Sequence, residues 1–210
     1  MIRVLVADDH PIVRQGLQKI VDATADMRVV AESVDGPATL ELAARDGIDV
    51  LLLDLNMPGA DGLDVLKGVK RIQPQLPVLV LTMYSEDQFA VRALKAGASG
   101  YLTKEAVPDE LVRAIRTVVG GRRYISPTLG DRLAATLVSG DHGPLHERLS
   151  DREYQVFRRI AAGRPAREIS TELGLSVKTV ATYRARILEK MEMKTNADLV
   201  TYTVRNHLSD

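Results

Sequence analysis

The sequence predicts a doubly wound α/β domain built on a five-stranded parallel sheet, followed by a small all-α domain. Three observations carry this reading. Five short apolar runs rich in β-branched residues alternate with segments of helical spacing through residues 1 to 118. One of them, Val50-Leu51-Leu52-Leu53, is apolar at every position, which means burial on both faces, as in a parallel sheet with helices on each side. Residues 148 to 210 show apolar residues three and four apart instead, the period of helices.

The strands are expected at Ile2 to Ala7, Arg28 to Glu32, Val50 to Leu55, Pro77 to Leu81 and Gly100 to Thr103. Ile12-Val13-Gly16-Leu17-Ile20 and Leu63-Leu66-Val69-Ile72 have helical spacing, so the order is strand then helix, five times over. The fifth helix opens on Pro108-Asp109-Glu110, with proline and acids in its first turn. It carries Leu111, Ile115, Val118 and Val119 along one side and stops at Gly120-Gly121. Residues 119 to 147 read as a linker: the stretch from 120 holds five glycines and two prolines, with one short helix near Leu129 to Val138. Ser150-Asp151-Arg152-Glu153 has the form of a capping box, because Ser150 can accept from a free amide of the first turn while Glu153 reaches back. Four helices are expected from there, at about Asp151 to Ala162, Ala166 to Leu173, Val177 to Met191 and Asn196 to Asn206.

Composition narrows the function classes. With 45% apolar and 27% charged residues the chain is an ordinary globular one, and without cysteine it has neither disulfides nor thiolate metal sites, so any metal must take oxygen or imidazole ligands. No apolar run approaches the roughly 20 residues of a membrane span, and Met1-Ile2-Arg3-Val4-Leu5 lacks the layout of a signal peptide, so a cytoplasmic location without membrane contact is expected. The formal net charge of zero conceals a division. Residues 1 to 118 carry 13 basic and 17 acidic side chains, a net −4, and residues 148 to 210 carry 12 basic and 8 acidic, a net +4. An acidic front half concentrates divalent cations, and a basic tail suits a polyanion such as DNA.

In an open parallel sheet, ligands bind at the carboxyl ends of the strands. Strand one ends at Asp8-Asp9, strand three at Asp54, strand four at Thr82 and strand five near Lys104, so three carboxylates, a hydroxyl and an ammonium group converge on one edge. Each has an ordinary structural reading: Asp8 and Asp9 as caps of the helix near Pro11, Asp54 as a turn residue, Thr82 as a strand end, Lys104 as a solvated cation. Together they form a site where the fold places sites. Crowded carboxylates repel one another, and a bound Mg2+ keeps them ionised. Asp54, at the tip of an apolar strand and before the turn Asn56-Met57-Pro58-Gly59, is then the candidate nucleophile for a phosphoryl group, giving an aspartyl phosphate.

Asp8-Asp9, Asp54-Leu55-Asn56-Met57-Pro58-Gly59-Ala60-Asp61-Gly62, Thr82, Gly97-Ala98 and Tyr101-Leu102-Thr103-Lys104 resemble the receiver domain of bacterial response regulators, a flavodoxin-like fold, over residues 1 to 118. The resemblance implies that Asp54 accepts phosphate from a histidine kinase. It also implies that Asp9, Asp54 and the backbone carbonyl of Asn56 hold Mg2+, with Asp8 acting through a water. Lys104 would pair with a phosphoryl oxygen, Thr82 would turn toward the phosphate, and Tyr101 would change rotamer. A phosphatase of the haloacid dehalogenase type would carry its nucleophile in a D-x-D motif after the first strand; here the pattern is D-x-N after the third.

In the tail, a short helix, a turn through Gly174, an N-cap at Ser176 and a second helix make the arrangement of helix-turn-helix DNA readers. The second helix has Val180, Ile187, Leu188 and Met191 on its apolar side and leaves Lys178, Arg184, Arg186 and Lys190 elsewhere. Leu149-Ser150-Asp151-Arg152-Glu153 and Glu168-Ile169 through Leu173-Gly174-Leu175-Ser176-Val177-Lys178-Thr179-Val180 resemble the LuxR-type DNA-binding domain of the NarL/FixJ group. That implies a recognition helix in the major groove, with Ala181, Thr182 and Ala185 facing base edges and Lys178, Thr179, Tyr183 and Arg186 on the phosphate backbone. Tyr183 departs from the histidine of many relatives, and base-facing residues this small imply partial readout of DNA shape.

The sequence thus reads as a two-component response regulator in which phosphorylation of Asp54 controls dimerisation and sequence-specific DNA binding to regulate transcription. The implied partners are a histidine kinase, double-stranded DNA, a second copy of the chain and RNA polymerase. The chain is not expected to be an enzyme beyond phosphoryl acceptance and slow autodephosphorylation at Asp54. The alternative is a signalling adaptor whose C-terminal domain binds protein rather than DNA.

Overall fold

The structure is a computed structural model that describes residues 1–57, 61–83, 86–127, 129–131, 144–206 and 208. Pro58, Gly59 and Ala60 of the expected signature, and most of the short helix expected over Leu129 to Val138, lie outside the described residues. The chain divides into two compact units, Met1–Leu133 and Ala134–Asp210. Among the described residues no helix is long and apolar enough to cross a membrane.

The first unit alternates strand and helix as the hydrophobic pattern requires: β1 (Ile2–Ala7), α1 (Pro11–Asp22), β2 (Met27–Ser33), α2 (Gly36–Ala43), β3 (Val50–Leu53), α3 (Gly62–Ile72), β4 (Val78–Thr82), α4 (Glu86–Lys95), β5 (Gly100–Thr103) and α5 (Pro108–Val119). All neighbouring strands are parallel, in the order β2-β1-β3-β4-β5. The strand order reverses direction at β1 and β3, and this is where a doubly wound sheet opens a crevice. Val4, Val6, Val50, Leu52, Leu79, Leu81 and Leu102 share one core with Leu17 and Val21 of α1 and Leu111, Ala114, Ile115 and Val118 of α5. Alternate residues, among them Leu5, Leu51, Leu53 and Val80, are just as completely buried. Both sheet faces are therefore covered, and Val50 to Leu53 is apolar at every position for that reason.

The strands fall within two residues of where the sequence puts them. β3 stops at Leu53 rather than Leu55, because Asp54 Oδ1 accepts the Asn56 amide at 3.1 Å and turns the chain out of the sheet. After α5 the chain doubles back through Gly121, which adopts a left-handed φ of +77°, and Tyr124 joins the edge of β5. The Tyr124 amide donates to Ser99 O at 2.9 Å, and its hydroxyl donates to Glu110 Oε1 on α5 at 2.8 Å. Part of the segment read as linker is thus pinned to the receiver sheet.

The second unit opens with a 3-10 turn (Leu145–Arg148) and continues through α6 (Asp151–Ala161), α7 (Ala166–Glu172), α8 (Val177–Lys190) and α9 (Asn196–Arg205). The Ser150 and Glu153 capping box is present at α6, and a second one, Thr195 with Asp198, starts α9. Phe157, Ile160, Ile169, Val180, Ile187 and Leu199 fill the space between the helices.

Tyr124 explains the glycine at position 100. A Cβ on Gly100 would lie 2.9 Å from Leu79 Cδ1, from Tyr124 Cβ and from the Tyr124 carbonyl oxygen, and a backbone atom cannot swing aside as a side chain can. We predict that Gly100→Ala costs about 1–3 kcal/mol by overpacking, read as a lower urea midpoint for the receiver unit. A midpoint equal to wild type would show that the strap can lift off at no cost.

Candidate functional site

Strand register brings the predicted acidic residues together. β1 and β3 run side by side, with Ala7 opposite Leu53, so the next residues, Asp8 and Asp54, leave adjacent strands at the same height. β4 lies next to β3 and β5 next to β4, with Thr82 opposite Thr103, which places Lys104 one residue beyond the sheet on the same edge. Its long side chain reaches back across the end of β4. Lys104 Nζ donates to Asp8 Oδ2 at 2.6 Å and to Asp54 Oδ2 at 2.7 Å.

This is a buried triad, with Asp8 1% and Asp54 2% exposed. Burying two carboxylates this far from water carries a large desolvation cost, which a cation held between them offsets. Burial works to lower the Lys104 pKa, but its hydrogen bonds to Asp54 and Asp8 and their charges outweigh that and raise it above the ordinary lysine value. Lys104 is therefore a fixed ammonium ion, not a solvated surface charge. Asp8 is fully engaged: its Oδ1 accepts the His10 amide at 2.8 Å, its amide donates to Ser33 O at 3.1 Å, and its carbonyl accepts from Arg14 Nη1 at 2.8 Å. No carboxylate caps α1, whose N-cap is His10 without a side-chain bond.

Asp9 differs. Its side chain is 30% exposed, and its buried Oδ1 has no hydrogen bond, although His10 Nδ1 lies 2.7 Å away as a charge contact. One ligand atom each from Asp8, Asp9, His10 and Asp54 falls within 4.8 Å of the others. An oxygen-rich donor set with one underused carboxylate oxygen suits a hard divalent cation. Asn56 is exposed at the lip of the pocket. Thr82 is fully buried at the end of β4, and Tyr101 is fully buried on β5 opposite Val80. His10 and Arg14 escaped the sequence reading. An arginine one helical turn after the Asp-Asp pair is the signal that was there to be used.

In the second unit α7 and α8 are joined by a turn in which Gly174 takes a left-handed φ of +64°, and Ser176 Oγ accepts the Thr179 amide at 3.0 Å. Val180, Ile187, Leu188 and Met191 are buried as expected. Lys178, Ala181, Thr182, Ala185 and Arg186 lie exposed on α8, with Thr179 and Tyr183 half-buried beside them. Two of the basic residues expected to be free are not. Lys190 Nζ donates to Glu153 Oε2 on α6 at 2.6 Å, and Arg184 Nε donates to Asn196 Oδ1 at the start of α9 at 2.7 Å. They clamp α8 to its neighbours and leave Lys178 and Arg186 as the free cations of that face among the described residues.

Residues 4–116 match the response regulator receiver domain, and residues 147–208 match the bacterial regulatory proteins of the luxR family. The chain belongs to the NarL/FixJ-type response regulators. This two-component regulator of transcription is 40% identical to response regulator GacA of Pseudomonas aeruginosa over 211 residues, which cover all of this chain and 99% of GacA. It is 34% identical to response regulator UvrY of Escherichia coli over 210 residues, 99% of this chain and 96% of UvrY. Among solved structures, RcsB of Salmonella enterica serovar Typhimurium, bound to promoter rprA in the presence of the phosphomimetic BeF3−, matches with a TM-score of 0.72. That alignment has 30% identity and covers 96% of this chain and 97% of RcsB.

The clamp on the regulator's α8 has a pH signature. Burial tends to raise the Glu153 pKa, but Lys190, the Ser150 amide and the Ser150 hydroxyl together hold it below the ordinary glutamate value. A carboxylate with a depressed folded pKa stabilises fully above its unfolded value, and loses that contribution as pH falls through the folded one. We predict that Glu153→Gln destabilises α6 by about 1–2 kcal/mol at neutral pH, measured by hydrogen exchange of Ser150–Ile160 peptides in the full chain. The difference from wild type should begin to shrink below about pH 4.3, once exchange is corrected for intrinsic rate, because the unfolded chain then takes up a proton, and it should vanish only at the lower pH where folded Glu153 is itself protonated. A gap that persists at low pH would mean that packing, not charge, carries the effect.

Proposed function

We propose that Asp54 is the phosphoacceptor, that it takes its phosphoryl group from a histidine kinase, and that the resulting aspartyl phosphate controls dimerisation and DNA binding in the cytoplasm. The observation that carries this is Lys104 bridging Asp8 and Asp54 at 2.6 and 2.7 Å. It sets a cation against the Asp54 carboxyl inside the protein and stands where charge builds up on a transferring phosphoryl group. Asp54 Oδ1 is oriented by the Asn56 amide. As an Asp54 oxygen forms its bond to phosphorus, the bond to the donor breaks. The ammonium of Lys104 then follows the new charge onto a phosphoryl oxygen and releases its contact with the former carboxylate.

Mg2+ is the cation that fits, held by Asp9, Asp54 and the backbone carbonyl of Asn56, with Asp8 acting through a water. When bound it would offset the charge of the carboxylates and of the incoming phosphoryl oxygens. Thr82 and Tyr101 are the switch pair on β4 and β5: the hydroxyl of Thr82 turns to the phosphoryl group, and Tyr101, packed inward here, responds. The surface beside α5 is the dimer face. No further catalysis is assigned to the chain beyond slow autodephosphorylation at Asp54.

For the effector unit we propose that α8 enters the major groove of double-stranded DNA. Ala181, Thr182 and Ala185 meet base edges, and Lys178, Thr179, Tyr183 and Arg186 meet phosphates. The Thr182 hydroxyl donates to Lys178 O at 3.0 Å, so it faces DNA as an acceptor. Promoter-bound RcsB, matched over nearly its whole length, supports this reading, and RNA polymerase is the partner that transcription regulation at a promoter calls for.

Two experiments test the proposal. Acetyl phosphate with Mg2+ should add one phosphate to the wild-type chain by intact mass and none to Asp54→Asn; equal labelling of both would put the acceptor elsewhere. Lys178→Ala and Arg186→Ala should each weaken binding to double-stranded DNA and lower the salt slope by about one, with little dependence on sequence. Unchanged slopes would remove α8 from the phosphate backbone.

A further inference from the structure

Resting on the pocket reading above, we propose that Arg14 is a positioning residue for the metal site, acting through the backbone of Asp8 to aim the carboxylate of Asp9. Arg14 sits on α1, is 15% exposed, and splits its guanidinium between two partners. Nη1 donates to the Asp8 carbonyl at 2.8 Å, and Nε donates to Glu32 Oε2 on β2 at 3.0 Å. The fork thus ties α1 and β2 to the chain just beyond the end of β1.

The consequence for Asp9 follows from peptide planarity. The Asp8 carbonyl and the Asp9 amide share one rigid plane, and the Asp9 carbonyl and the His10 amide share the next. Arg14 holds the first plane through the Asp8 oxygen, and Asp8 Oδ1 holds the second through the His10 amide at 2.8 Å. With both planes fixed, the Cα–Cβ direction of Asp9 is fixed as well. The Asp9 side chain itself has no hydrogen bond on its buried Oδ1, only the charge contact with His10 Nδ1 at 2.7 Å. The Asp8 carbonyl lies past the last rung of the β1 ladder, so without Arg14 it loses its acceptor role and the first plane is free to rotate. Lysine is a poor substitute: a single ammonium cannot hold a carbonyl on one side and Glu32 on the other in a fixed fork.

The test is Mn2+ binding to the full chain, followed by the paramagnetic signal of the free ion, for wild type, Arg14→Gln and Arg14→Lys, each first shown to melt cooperatively. Arg14→Gln should raise the half-saturating Mn2+ concentration about tenfold, at the low end of what losing an outer partner of a metal ligand does. At saturating Mg2+ its rate of labelling by acetyl phosphate should return to within about twofold of wild type, because the arginine touches neither Asp54 nor the phosphoryl group. If Arg14→Gln does not fold, Arg14→Lys is read in its place, with a loss of about threefold expected. Wild-type Mn2+ affinity in the variant that is read overturns the assignment, and so does a maximal rate that falls while affinity stays put. Absence of Mn2+ binding in the wild-type chain itself would sink the metal reading, and this inference with it.

Discussion

Two carboxylates, at the ends of adjacent strands and almost wholly removed from water, are held by one ammonium group that lies within 2.7 Å of each. The rest of the receiver unit is arranged to make that contact possible. A parallel β1 and β3 in register carry Asp8 and Asp54 to the same height, and β4 and β5 bring the stem of Lys104 to the same edge from two strands away. If register slipped by one residue at β3, Asp54 would point into the opposite helix layer and Leu53 into the pocket. The apolar runs that look like mere core therefore also set the geometry of the site.

That triad divides the labour among the aspartates. Asp8 has partners on its amide, its carbonyl and both carboxylate oxygens, and so behaves as a pillar. Asp54 is held on one oxygen by Lys104 and on the other by the Asn56 amide, an arrangement that orients it while leaving lone pairs unclaimed. Asp9 is the least restrained and the most exposed of the three. The same logic governs the effector unit, where Glu153 accepts from both Ser150 and Lys190 and so couples the start of α6 to the end of α8. In both units, residues far apart in sequence are locked by a buried charge, and the functional surface is presented by what remains unlocked.

What the sequence made legible was what has a period or a fixed local spacing. The strand ends, the α5 start at Pro108, the Ser150 capping box and the buried side of α8 could all be read, because each depends on residues within a few positions of one another. The joint position of Asp8, Asp54, Thr82 and Lys104 was readable only through the rule that parallel strand ends converge. The contacts that were missed span long separations or break the usual form. Lys190 meets Glu153 across 37 positions, and Arg14 meets Glu32 across 18. The capping box of α9 uses Asp198, where the usual pattern has glutamate or glutamine. Basic side chains at 184 and 190 looked available because amphipathic spacing says which side is apolar, not which polar groups will find a neighbour.

The strap at Tyr124 shows why a domain boundary is harder to read than a domain. A glycine pair after α5 marks the end of a helix, and the sequence gives no further apolar run, so the receiver looks finished near Val118. Yet β5 is an edge strand, and an uncovered edge presents unpaired backbone groups to any other chain. Tyr124 covers that edge by taking the Ser99 carbonyl, and it fixes itself to α5 through Glu110. Gly100 has no side chain where the tyrosine backbone comes down, so the two positions are matched across the turn. A receiver cut at Val118 would lose Tyr124 from its core and this cover with it, leaving a bare edge on β5, the strand that carries Tyr101. The receiver unit therefore does not end at the tip of α5 but continues along the edge of β5 and on to the buried Leu129.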